Sequence, residues 1–169
     1  RSLPPIIEFS NREFYGGRMR IMKKDTGMDK VIEIVQVPDG KVDMDATRNL
    51  PEIEALVKYL YDIIVEDERK NPENPVSIGV ISPFRAQVEQ LKGSISKVIS
   101  EHMIRKHQIE VGTAHTFQGD ESDVILMSWA YADNSFPQSL VFLQKPNLFN
   151  VAVTRARNKV INFISKDVK

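Results

Sequence analysis

Val76–Ile99, VSIGVISPFRAQVEQLKGSISKVI, is the stretch whose reading decides the fold. Val76–Ile81 is a nearly continuous apolar run, the pattern of a strand covered on both faces. Ser82 and Pro83 end it. Phe84, Val88, Leu91, Ile95, Val98 and Ile99 then recur at helical spacing, so the segment that follows is an amphipathic helix, weakened by Gly93. A buried strand that runs directly into such a helix is a building unit of an α/β sheet.

The alternation continues in both directions. Upstream, Val31–Val37 (VIEIVQV) alternates and is β-branched, so it reads as a strand closed by the turn Pro38-Asp39-Gly40. Thr47 or Asn49 can cap the next helix, with Pro51 and Glu52 in its first turn. Ile53, Leu56, Val57, Leu60, Ile63 and Ile64 give it one apolar stripe. Pro5–Phe9, followed by Phe14-Tyr15-Gly16-Gly17, reads as a short helix ending in a glycine turn. Downstream, Ile109–Gly112 and Asp123–Trp129 are strands around the polar loop Thr113–Ser122. Ala130–Pro146 is irregular. NLFNVAVTRAR, Asn147–Arg157, is a helix with Asn147 at its cap, and Lys159–Ile164 is a last strand. Strands alternating with helical stripes predict a doubly wound, mainly parallel sheet. Ligands bind such sheets at the carboxyl ends of the strands. On that rule Ser82–Arg85, Thr113–Glu121 and the approach to Arg155 are the positions to weigh.

The 169 residues suit one domain with a sizeable core. No window of 18 apolar residues occurs, so no transmembrane span is expected. The absence of cysteine excludes disulfides and thiolate metal sites and fits a reducing cytoplasm. The 23 basic and 23 acidic residues cancel, so the chain wears no basic coat, and any phosphate recognition must be local. The opening RSLPP, without a Met, reads as part of a larger protein.

The richest loop is Thr113-Ala114-His115-Thr116-Phe117-Gln118-Gly119-Asp120-Glu121. Gly119 lets backbone N–H groups approach an anion. Glu121 can accept from a sugar hydroxyl, and Thr113 and His115 can donate to phosphates of a strand lying across the sheet edge. A plain polar connection with Glu121 and Asp123 solvated explains the same residues equally well. Arg155 and Arg157 present planar donor forks suited to phosphate, yet as an isolated pair they are most simply charges at a helix end. His102, His107 and His115 lack metal-ligand spacing and no H-E-x-x-H is present, so no metal site is expected. His102 and His107, in EHMIRKHQ, read as surface residues. Asp67-Glu68 ends a helix and Asp120-Glu121 has no apolar strand directly before it, so neither is the acidic pair of a nucleotidase. Phe117, Trp129, Tyr131, Phe136 and Phe142 suit base stacking or packing, and Trp129, on a strand, is read as core. Ser128 has no visible His/Asp partner for hydrolase chemistry. Gly40-Lys41 fails the G-x-x-x-x-G-K-[ST] pattern, so the chain has no phosphate loop of its own.

Three motifs in order, IGVISPFRAQVEQL (Ile78–Leu91), VGTAHTFQGDESDVILMS (Val111–Ser128) and NVAVTRAR (Asn150–Arg157), resemble the second RecA-like domain of superfamily 1 helicases, most closely the Upf1-like branch. Arg1-Ser2-Leu3-Pro4 with Ile7, Phe9 and Phe14-Tyr15-Gly16 is similar to that family's opening segment, and Asn49–Ala55 (NLPEIEA) to one of its helix starts. The resemblance implies a three-layer RecA-like (P-loop NTPase-like) α/β fold over 1–169, a single C-terminal domain of a larger chain. It implies part of an ATP-dependent helicase or translocase acting on single-stranded DNA or RNA. ATP and Mg2+ would be held mainly by the N-terminal RecA-like domain of the same protein, and this chain alone would be inactive. Carried over residue by residue, Arg155 resembles the arginine that reaches the γ-phosphate, and Arg1 a second one. Glu121 resembles the ribose contact. Gln118 and Gly119 fall in the loop that couples nucleotide to strand, and Arg157 is a weaker match. Ser82, Arg85, Thr113 and His115 resemble positions along the strand's backbone. Asp120 departs from the arginine many relatives carry, and the tyrosine that would precede Arg1 is missing. The location implied is cytoplasmic, or nuclear in a eukaryote. The alternative is a helicase half kept as a non-catalytic nucleic-acid-binding scaffold. A stand-alone dinucleotide enzyme would need a Gly-rich strand-to-helix turn, and Ser82–Phe84 has Pro there.

Overall fold

The computed structural model describes residues 18–23, 30–43, 48–114, 116–117, 121–132 and 146–165. The helix expected over Pro5–Phe9, Arg1, Thr47, His115, Gln118, Gly119, Asp120, Phe136 and Phe142 lie outside them. The elements are β1 (Arg18–Lys23), β2 (Lys30–Gln36), α1 (Leu50–Lys70), β3 (Ile78–Ile81), α2 (Arg85–Val98), α3 (Glu101–Lys106), β4 (Glu110–Gly112), β5 (Ser122–Ser128), α4 (Pro146–Arg155) and β6 (Ala156–Ile164). The sheet order is β1-β2-β6-β5-β3-β4. All neighbours pair in parallel except β1, which runs antiparallel along β2 at the edge.

Strand alternation sorts the core into two layers. Ile125, Met127, Val160, Ile164, Ile32 and Ile34 point to one face, where Ala152 and Val153 of α4 cover them. Leu126, Ile161, Phe163, Ile78 and Val80 point to the other, beneath Leu56, Leu60 and Ile64 of α1 and Leu91 and Ile95 of α2. The expected three-layer α/β arrangement is therefore present. Asn49 caps α1: its side chain accepts from the backbone N–H of Glu52, and Pro51 sits in the first turn.

Some local expectations are corrected. β1 and α3 have no counterpart among the elements expected from the sequence. α4 begins at Pro146, which places Asn147 inside the helix, and it ends at Arg155, where β6 starts at once, so Arg157 is a strand residue. His107 is fully buried rather than on the surface. Its Nδ1 meets the Val76 carbonyl at 2.8 Å and its Nε2 meets Glu68 at 3.0 Å, which satisfies both ring nitrogens where α1 ends and β3 begins.

The end of α3 carries a left-handed turn. The N–H of Gln108 donates to the carbonyl of Arg105, and that of Ile109 to Ile104, the two-bond pattern that closes many helices. Gln108 has φ 48°. Gly usually fills that place, and a residue with a Cβ costs roughly 1–2 kcal/mol there.

A buried polar cluster joins the start of α1 to the carboxyl ends of β5 and β6. Glu52 is fully buried. Its Oε1 accepts from Ser128 Oγ at 2.6 Å and from the N–H of Ala130 at 2.7 Å. Its Oε2 accepts from Ser165 Oγ at 2.6 Å and from Asn49 Nδ2 at 3.4 Å. Gln87 of α2 extends the cluster, accepting from the N–H of Asn49 and donating to Ser128. Burial pushes the Glu52 carboxyl from 4.5 up to about 7, against the hydrogen bonds from Ser128, Ser165 and Ala130 that favour its charged form.

That shift fixes a sign. The folded chain holds the Glu52 proton up to about pH 7, whereas the unfolded chain releases it near 4.5. Between those values the folded state binds more protons, so this group makes stability fall as pH rises, by on the order of 3 kcal/mol in all. Above that window the loss is complete. Glu52→Gln is expected to remove this fall, so its stability relative to wild type should improve from about pH 5 to about pH 8 in urea titrations. A constant difference between the two proteins across that range would refute the assignment.

Candidate nucleotide and strand edges

The residues singled out in the sequence separate onto two opposite edges of the sheet. Glu121, Arg155 and Arg157 precede or open β5 and β6, so they stand at the amino ends of these strands. This corrects the expectation that they share the carboxyl ends with Ser82 and Thr113. The reason is the crossing loop itself: Thr113 leaves the carboxyl end of β4, and in a parallel sheet the chain must return to the opposite edge before β5 can start.

At the amino edge, β6 bulges against β5. Ser122 pairs with Ala156 and Val124 with Lys159, so Arg157 and Asn158 together stand opposite Asp123. An extra residue re-aims the side chains beside it. Arg157 Nη1 donates to Asp123 Oδ1 at 3.0 Å, and its Nε lies 3.4 Å from Glu121 Oε1. Asp123 is itself fixed by a reciprocal pair with Ser77: each backbone N–H donates to the other's side-chain oxygen at 2.9 Å. Burial works to raise the Asp123 carboxyl. The Ser77 N–H, the Arg157 guanidinium and the Ser77 hydroxyl outweigh it and hold the group below its ordinary 3.8. Arg157 is thus neutralised by two carboxylates. Arg155 is different. It closes α4, half-buried, and among the described residues its Nε is buried without a partner and no carboxylate pairs with it. A partnerless buried donor on a cation marks a position suited to an external anion.

At the carboxyl edge, the N–H of Ser82 donates to the Gly112 carbonyl, which draws the ends of β3 and β4 together. Ser82 is fully buried, and its hydroxyl has no partner among the described residues. Thr113 is half-buried, and its hydroxyl is engaged with Thr116. Arg85, the first residue of α2, is exposed. Of the three, Arg85 is the one whose side chain is open to a passing strand without rearrangement.

Phe117 links the two edges. It is fully buried, as are Trp129 and nearly so Tyr131, so these rings pack rather than offer faces for base stacking. Phe117 lies on Gly79 of β3: a Cβ there would stand 2.4 Å from Phe117 Cζ and 2.7 Å from Ile125 Cδ1. The bare glycine therefore provides the seat that pins the crossing loop to the sheet. Gly112 plays a similar part for Thr116, whose Oγ1 would meet a Cβ at 2.6 Å. Sequence reading missed the anchoring role of Asp123, the bulge that aims Arg157, and Gln108. An acidic residue heading an apolar strand was the one visible signal among them.

A mainly parallel sheet in this strand order, with helices packed on both faces, is a RecA-like α/β arrangement. Comparison with known proteins agrees. The AAA domain family matches residues 1–167. The mov-10-B.2 protein of Danio rerio is 30% identical over 187 residues, covering 95% of this chain and 18% of that protein. Helicase SEN1 of Saccharomyces cerevisiae is 28% identical over 177 residues, covering 95% and 8%. The Regulator of nonsense transcripts 1 homolog of Arabidopsis thaliana is 28% identical over 175 residues, covering 95% and 14%. The chain belongs to the AAA domain family and is a RecA-like domain homologous to Upf1-like helicases. It spans less than a fifth of the length of these relatives.

Gly79→Ala is expected to cost about 1–3 kcal/mol by displacing Phe117. Phe117→Leu added to it should recover part of that loss. Denaturant midpoints of the single and double variants check this, and a Gly79→Ala protein as stable as wild type would show that the loop is not seated as described.

Proposed function

We propose that this domain is the C-terminal motor half of an ATP-dependent nucleic-acid helicase or translocase. It completes an ATP site whose phosphate loop and Mg2+-binding groups belong to an N-terminal RecA-like domain of the same protein. Arg155 acts as the arginine finger on the γ-phosphate, with Arg1 as a second cation, and Glu121 contacts the ribose. Gln118 and Gly119 lie in the loop between the nucleotide and the strand. Arg85, Thr113, His115 and Ser82 border the path of a single DNA or RNA strand. The observation that carries this reading is Arg155: a half-buried cation at a helix end, unpaired among the described residues, at the edge where Glu121 also stands.

The chemistry follows from that placement. Phosphoryl transfer needs positioning and positive charge on the transferred group more than covalent help. A finger supplied by a second domain reaches the γ-phosphate only when the cleft closes, so hydrolysis reports closure. Arg157 is held by Glu121 and Asp123 and stabilises the edge beside the finger. On the opposite edge, contacts to a strand's backbone leave the motor indifferent to sequence. The strand motion follows from the loop that spans both edges. No helix among the described residues is long and apolar enough to cross a membrane.

In the full-length protein Arg155→Ala is expected to lower strand-stimulated ATPase by ~10³–10⁵ while largely sparing strand binding. Turnover within about twofold of wild type, only ~0.4 kcal/mol of barrier, would remove the finger assignment. The 169-residue chain alone is expected to show no appreciable ATPase. Parallel assays with DNA and RNA then identify the strand.

A further inference from the structure

Beside the Glu121–Arg157 ion pair lies a cavity of about 390 Å³ lined by Gln108, Glu110, Glu121, Ser122 and Arg157. Its wall is mostly polar. Such a lining gives a nucleobase no apolar or aromatic face to lie on. Two carboxylates also repel phosphate. What the set suits is a vicinal pair of hydroxyls: carboxylates accept from them, while the Gln108 amide donates to their oxygens. Gln108 is the unexpected member. It is exposed, and its backbone sits at φ 48° in a helix-closing turn where Gly is the usual residue. A side chain kept at the expense of backbone strain, on the wall of a polar cavity, points to use of that side chain.

We propose that this cavity seats the ribose of the nucleotide and that Gln108 is a further ribose-contacting residue, its amide donating to a sugar hydroxyl that Glu121 or Glu110 accepts from. The proposal rests on the reading that this edge faces a nucleotide. It adds a determinant of sugar specificity, contributed by the turn before β4 rather than by the crossing loop.

The test uses the full-length protein with ATP, 2′-deoxyATP and 3′-deoxyATP. Gln108→Gly relieves the left-handed strain, so its thermal midpoint should rise. Its KM for ATP should nevertheless rise about fivefold, the worth of one hydrogen bond, with kcat little changed. Its preference for ATP over at least one deoxy analogue should narrow. Gln108→Asn, which tolerates the same backbone and keeps an amide, should restore part of the loss. A better-folded Gln108→Gly protein with unchanged KM and unchanged sugar preference overturns the proposal, and so does an equal rise for all three nucleotides. Arg155→Ala run alongside separates the two claims. If it abolishes turnover while Gln108→Gly changes nothing, only the ribose assignment falls. If it leaves turnover intact, the nucleotide edge falls and Gln108 with it.

Discussion

The domain is arranged around one buried carboxylate. Glu52 has no cation beside it among the described residues, and it gathers the hydroxyls of Ser128 and Ser165 and the N–H of Ala130. Those groups sit at or just past the carboxyl ends of β5 and β6, the two central strands. A helix packed only by Leu56, Leu60 and Ile64 could slide along an apolar sheet at little cost. The directed hydrogen bonds at its first turn prevent this and set where α1 begins relative to the strand ends. Ala130, at φ 55°, turns its N–H toward the carboxylate in the same left-handed region as Gln108, so the cluster is satisfied at the expense of backbone strain. Burial without a counter-ion is costly, and the raised pKa of the group is the measure of that cost.

With the carboxyl ends of β5 and β6 fixed to α1, their amino ends carry Glu121, Arg155 and Arg157. Parallel strands give the two edges different roles. Every crossing connection must carry the chain from one edge to the other, and the Thr113–Glu121 loop does so within nine residues. Its first residue lies with Ser82 and Arg85, and its last with Arg155 and Arg157. Phe117, seated on Gly79, is the fulcrum between them. Phe117 is thus a packed anchor between Thr113 and Glu121 in the chain.

Much of the fold was legible in the residues. Unbroken apolar runs such as Val76–Ile81 and clean stripes such as Ile53–Ile64 signal burial on two faces or on one, and the structure follows them. Local patterns carry less information about orientation. Nothing in NVAVTRAR says that the helix stops at Arg155 and that a bulge aims Arg157 at Asp123, because strand register is decided by the partner strand. His107 reads as a surface residue because its neighbours are charged. It is buried because α1 happens to end with Glu68 within reach of its ring. The expectation that these residues share the carboxyl ends holds in position for Ser82 and Thr113. Arg155 and Glu121 stand at the amino ends instead, because topology, and not composition, assigns a loop end to an edge.

The balance of charge takes on meaning at the amino edge. Two arginines stand close in sequence there, and their fates differ. Arg157 spends its charge on Asp123 and Glu121, the second of which lines the polar cavity. Arg155 ends a helix, where the dipole of α4 already favours a cation, so it needs no side-chain counter-ion to be tolerated when half-buried. A cation stabilised by a helix end keeps its hydrogen-bonding capacity for an anion that arrives from outside. A cation stabilised by carboxylates does not. A chain with no net charge can therefore still hold neighbouring arginines in different states, and the local backbone determines which of the two is paired.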